Sequence, residues 1–126
     1  MSESTSEFHV CIAGTGSYVP ERILTNAELA IQVDTSDEWI VSRTGIRERR
    51  IAAEGEFTSH MATHATRHAL EQAGLAAEDV ELIIVATITP DTLTPATACY
   101  VQRNLGANGA VAFDISAACS GFLYAM

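Results

Sequence analysis

Apolar residues in this chain fall into short stretches separated by polar, glycine and proline breaks, and most stretches carry the period of one kind of element. Phe8 to Thr15 (FHVCIAGT) reads as a first strand, and Gly16 to Pro20 (GSYVP) as the turn or loop that closes it. Thr25 followed by Glu28 has capping-box spacing, which predicts a short helix from Asn26 to about Gln32. A second short helix is expected around Ser36 to Ser42, where Asp37 and Glu38 suit a positive N-terminal end. Arg43 to Ile51 reads as a loop and then a strand. Thr58 to Ala73 has the clearest helical period: Met61, Ala62, Ala65, Ala69 and Ala73 share a face, the alanines imply close packing, and Gly74 ends the helix. Leu82 to Thr87 (LIIVAT) is a continuous apolar run, the mark of a strand covered on both faces in a parallel sheet. Thr94 and Pro95 have the form of an N-cap and first-turn proline for a helix reaching about Leu105. Ala110 to Asp114 reads as another buried strand, with a helix starting near Cys119. Strands separated by helices predict a layered α/β fold. Residues 1–7 read as a polar tail, and no internal repeat or linker divides the rest.

Composition narrows the function classes. With 126 residues, 48% of them hydrophobic, the chain suffices for one compact domain and is too short for two ordinary ones. Its apolar runs stop well short of the roughly 20 residues of a membrane span. The polar start MSESTSEFHV lacks the basic and apolar parts of a secretory signal, so a cytoplasmic protein with no membrane partner is expected. A net charge of −9 argues against nucleic acid, whose phosphates require Lys and Arg. All seven basic residues are Arg, however, and four lie in RTGIRERR between Arg43 and Arg50. Such a run reads either as a solvated strand or loop, or as a site for a small phosphorylated ligand, since the guanidinium fork fits phosphate oxygens.

The chemistry-bearing residues are few. Cys11, Cys99 and Cys119 are odd in number, far apart and without CxxC spacing, so free thiols are expected rather than disulfides or a zinc site. His60, His64 and His68 repeat every fourth residue on the long helix, but HExxH is absent and they fall beside Arg67 and Glu71, opposite the alanines; they read as solvent-facing, not as metal ligands. GTGS at Gly14 to Ser17 opens like a dinucleotide fingerprint, yet the third glycine is missing and no helix follows at once. Cys119 stands apart. A strand, small residues and a helix start place it at a sharp turn where backbone N–H groups favour a thiolate, and Ala117, Ala118, Ser120 and Gly121 leave room for a substrate. A buried structural cysteine fits the same position, and position alone leaves both readings open. Cys11, in the first strand, and Cys99, in a helix, read as core.

Several ordered motifs then resemble one family. AFDISAACSGFLYAM (112–126), DTSDEWIVSRTGIRERR (34–50), GTGSYVPERILTNAEL (14–29) and ATITPDTLTPATA (86–98) are similar to the β-ketoacyl-acyl-carrier-protein synthases III, thiolase-like condensing enzymes that start bacterial type II fatty-acid synthesis. The resemblance implies a thiolase-like layered α-β-α-β-α fold, of which this chain holds most of the first βαβαβ half. It implies that Cys119 takes an acyl group from coenzyme A, which enters as substrate with no resident cofactor, and that the acyl-enzyme condenses with malonyl-acyl-carrier-protein as CO2 is lost. It implies further that Thr35 and Trp39 meet the adenine, that Arg43 lies near the nucleotide phosphates, and that the complete enzyme is a homodimer. As the only Trp here, Trp39 has the alternative of a core residue. Thr94 matches a position that carries a bulky aromatic in some members, which predicts tolerance of primers longer than acetyl.

The family's catalytic histidine and asparagine have no counterpart in these residues; His9, His60, His64 and His68 match neither. The chain is therefore expected to be a part of a condensing enzyme that is inactive by itself. A related secondary-metabolism ketosynthase and a non-catalytic coenzyme A-binding module are the alternatives.

Overall fold

The computed structural model describes residues 10–126, so Phe8, His9 and the polar tail lie outside the described residues. Two small sheets and five helices follow in the order β1 (Arg22–Thr25), α1 (Asn26–Gln32), α2 (Asp37–Thr44), β2 (Glu48–Ile51), α3 (Thr58–Ala73), β3 (Leu82–Ala86), α4 (Thr97–Leu105), β4 (Val111–Ile115) and α5 (Gly121–Ala125), with 3-10 turns at Ala77–Asp79 and Ala118–Ser120. β1 and β2 pair antiparallel, Arg22 opposite Ile51. β3 and β4 pair in parallel, Leu82 opposite Val111, and α4 makes the crossover between them. The core sits under that crossover: Ile83, Ala98, Val101, Ala107 and Ala110 are buried together, with Ala62 of α3 packed against them.

Local signals locate the helices well. Thr25 and Glu28 form a reciprocal capping box at the start of α1. Ser36 caps α2 through Trp39 N–H, and Gly45 ends it at φ 72°, the left-handed conformation that favours glycine. α3 spans the expected residues and closes on Gly74.

Non-local features correct four expectations. No strand forms over Val10–Thr15: the segment instead crosses the alanine face of α3, where a Cβ at Gly14 would collide with the Ala69 carbonyl and one at Gly16 with that of Ala65. The GTGS glycines thus serve close backbone approach, and Cys11 is exposed rather than core. A strand needs a partner edge for its hydrogen bonds, and apolar pattern does not reveal one. α4 begins at Thr97, not at Thr94–Pro95, because the Asp114 carboxylate of β4 accepts from Thr97 N at 2.7 Å and Ala98 N at 2.8 Å. α3 is likewise held from outside, with Asp91 Oδ1 accepting from Ser59 N at 2.8 Å. β3 is covered unevenly in these residues: Ile83 is buried in the core under α4, Gly121 of α5 packs on Ala86 of the other face, and Leu82 at the start of the strand is left 50% exposed. The histidines are exposed as expected, yet two also touch the N-terminal segment: His64 stacks on Tyr18, and His68 Nδ1 lies 2.9 Å from the Ser17 carbonyl. No helix among the described residues is long and apolar enough to cross a membrane.

Candidate active site

Cys119 sits where the parallel strands end. β4 finishes at Ile115, Thr87 N still donates to the Ile115 carbonyl at 3.1 Å, and Cys119 follows in the 3-10 turn Ala118–Ser120 that leads directly into α5. The turn is tight and strained: Ala118, immediately before the cysteine, has φ 44°, a left-handed conformation that a Cβ disfavours. Gly121 closes it, since a Cβ there would stand 3.1 Å from the Ala86 Cβ, so α5 packs directly against the end of β3. Cys119 is exposed at this turn, not buried in a core. In open α/β sheets, ligands are bound at the carboxyl ends of the strands, which is where this sulfur stands.

A second locus lies on α2. Trp39 is 54% exposed, which sets aside the core reading of the sole tryptophan. The Arg43 guanidinium stands one turn further along, its Cζ 4.5 Å from the Trp39 ring centroid, a cation–π contact that holds both side chains on one face of the helix. Asp34, Thr35, Ser36 and Trp39 line an open pocket beside it. The structure corrects the reading of the whole arginine run as a ligand-facing cluster. Arg49 points inward, its Nη2 donating to Asn26 Oδ1 at 2.9 Å, and Arg50 Nη1 donates to the Pro20 carbonyl at 3.1 Å, so both hold β2 in place. Arg43 alone of the four stacks on Trp39.

Thr94 is exposed in the loop between β3 and α4. Cys99, in α4, is half-buried with its Sγ toward the Ala112 carbonyl, a packing position.

No protein-family model matches the chain. It is 64% identical over 116 residues to the β-ketoacyl-[acyl-carrier-protein] synthase III of Thiobacillus denitrificans, an alignment covering 91% of this chain and 36% of that protein. The crystal structure of 3-oxoacyl-[acyl-carrier-protein] synthase III from Aquifex aeolicus matches with a TM-score of 0.87 at 59% identity, over 90% of this chain and 37% of the other. The chain is homologous to the N-terminal part of β-ketoacyl-[acyl-carrier-protein] synthase III. Its α/β architecture is accordingly a partial thiolase-like fold. The priming β-ketosynthase of the R1128 polyketide pathway shares that fold with a TM-score of 0.87 at 43% identity, over 90% of this chain and 34% of its own. The chain thus spans about a third of the length of these relatives. Within this chain, Cys119 and the Trp39–Arg43 pair occupy separate elements, the turn after β4 and helix α2.

Sequence reading missed three polar residues that shape these loci. Asp114 and Asp91 cap helices across the fold, and Asn26 is buried beneath α2. The sequence carries no sign of the Asp114 cap, because Thr94–Pro95 offers α4 an apparent cap of its own and only the structure sets the N-cap at Ala96.

Proposed function

We propose that this chain supplies the acyl-accepting part of a cytoplasmic, homodimeric β-ketoacyl-acyl-carrier-protein synthase III. The Cys119 sulfur, as thiolate, attacks the thioester carbonyl of an acyl-coenzyme A primer, acetyl or longer, and the tetrahedral oxyanion collapses as the carbonyl–sulfur bond to coenzyme A breaks; coenzyme A leaves as a thiolate and takes up the proton that Cys119 gave to solvent. Malonyl-acyl-carrier-protein then loses CO2, and the electron pair of the broken C–C bond forms the new bond to the Cys119-bound carbonyl. This releases 3-oxoacyl-acyl-carrier-protein and returns the thiolate. The backbone N–H of Cys119 serves as one oxyanion donor. Thr35 and Trp39 receive the adenine, and Arg43 the nucleotide phosphates.

The observation that carries this reading is the exposed sulfur on a strained turn at the carboxyl ends of two parallel strands. The identity to synthase III supports it over the whole stretch. The test is mass spectrometry of the full-length protein after exposure to acetyl-coenzyme A. Wild type gains one acetyl group on the Cys119 peptide, and Cys119→Ala gains none; coenzyme A binding without acylation would sink the enzyme reading in favour of a binding module. The likeness to the R1128 priming ketosynthase favours a second reading, the same chemistry priming a polyketide. Incubation with the carrier proteins of the two pathways separates them by which one receives the product.

A further inference from the structure

Asn26 is only 1% exposed, and both ends of its side-chain amide are engaged. Its Nδ2 donates to Asp37 Oδ1 at 2.7 Å and to the Ile46 carbonyl at 2.8 Å. Its Oδ1 accepts from Arg49 Nη2 at 2.9 Å. Asp37 is the first residue of α2, and Ile46 follows the glycine that ends it. One amide group therefore grips both ends of the helix that presents Trp39 and Arg43. Apolar packing holds that helix weakly, for Ile40 is its one buried residue.

We infer that Asn26 is a positioning residue for the nucleotide end of the coenzyme A thioester, acting through the placement of α2. The inference rests on the coenzyme A reading of Trp39 and Arg43 given above. A ring that stacks on adenine and a guanidinium that meets phosphates must keep their relative placement to bind both parts at once. Their mutual contact fixes one to the other. The Asn26 clamp fixes the pair to β2, through Arg49, and to the start of α1.

The informative variant is Asn26→Asp. It keeps an acceptor for Arg49 but sets a carboxylate against Asp37 and the Ile46 carbonyl, both acceptors. Asn26→Ala is less useful, because Arg49 Nη1 is already buried without a hydrogen-bond partner among the described residues, and removing the acceptor of Nη2 would favour unfolding. Acylation of Cys119 in the full-length protein is followed with two donors: acetyl-coenzyme A, and the acetyl thioester of N-acetylcysteamine, which has the reacting group and no nucleotide.

Asn26→Asp is expected to raise the half-saturating acetyl-coenzyme A concentration about tenfold, the size of one lost charge-assisted hydrogen bond, with little change in maximal rate. The short thioester is expected to react at close to the wild-type rate. Pairing Asn26→Asp with Asp37→Asn, which exchanges amide and carboxylate, is expected to recover much of the loss. Equal slowing with both donors would show a merely structural role and overturn the inference, as would no effect on either. Trp39→Ala separates the two claims. If it raises half-saturation while Asn26→Asp does not, the clamp fails alone; if it has no effect, the coenzyme A reading fails and takes the inference with it.

Discussion

At the residue scale, the proposed reactivity and selectivity rest on small side chains. Cys119 is exposed where Ala118, at φ 44°, turns the chain before it and Gly121 lets α5 close on Ala86 after it. Thr94, in an exposed loop, is proposed to leave acyl space that a larger side chain would take. Thr94→Phe is expected to shift preference toward acetyl, lowering kcat/KM for butyryl and longer primers by about tenfold or more while acetyl is little affected, as steric exclusion of a few methylenes allows. Competition between acetyl- and butyryl-coenzyme A in the full-length protein measures it, and unchanged ratios would remove Thr94 from the acyl pocket. Cys119 is legible as a candidate from its neighbours, because small residues between an apolar run and a helix start are a local pattern. Asn26 is not, because only burial distinguishes it from any polar residue behind a helix cap.

At the scale of elements, carboxylates tie separate pieces together. Asp114 carries two N–H groups of α4, so Asp114→Ala is expected to cost about 1–2 kcal/mol, the usual worth of a lost helix cap, and Asp114→Asn less. The urea midpoint reads the difference, and an unchanged midpoint would mean that water caps α4 equally well. A second tie joins the N-terminal segment to the loop before α3, where the Tyr18 hydroxyl donates to Glu56 Oε1 at 2.5 Å. That hydrogen bond, with one from Ala53 N–H, holds the Glu56 carboxyl below its ordinary value of 4.5. A depressed carboxyl contributes stability that is present above its unfolded value and lost as pH falls through the folded one. The advantage of wild type over Tyr18→Phe should therefore be full at neutral pH and shrink as pH drops below about 4.5. Melting both proteins across that range tests it, and a pH-independent gap would exclude the Glu56 charge as its source.

At the scale of the whole molecule, the described residues leave much apolar surface uncovered. Val10 and Leu93 are each 97% exposed, α5 shows Phe122 and Leu123 to solvent, and the parallel pair β3–β4 has no further strand among the described residues. Parallel sheets are normally covered on both faces, and open edges invite association. The 126-residue chain by itself is thus expected to bind a hydrophobic dye and, on the proposed reading, to form no 3-oxoacyl product. Product from the short chain would show that the condensing machinery is complete within it.

What the sequence determined by itself was whatever acts over a few residues. The Thr25–Glu28 box, the Ser36 cap, the Gly45 and Gly74 ends and the turn before Cys119 are all built from neighbours in the chain, so their residues announce them. Tertiary structure alone decided which edges pair, which carboxylate caps which helix, and which arginines of RTGIRERR turn inward. Those outcomes depend on groups brought together from 16 or more positions away, as Asp114 is to Ala98 and Arg49 to Asn26. Such hydrogen bonds offset the cost of burying each polar partner, and a linear pattern of apolar and polar residues carries no record of the partner.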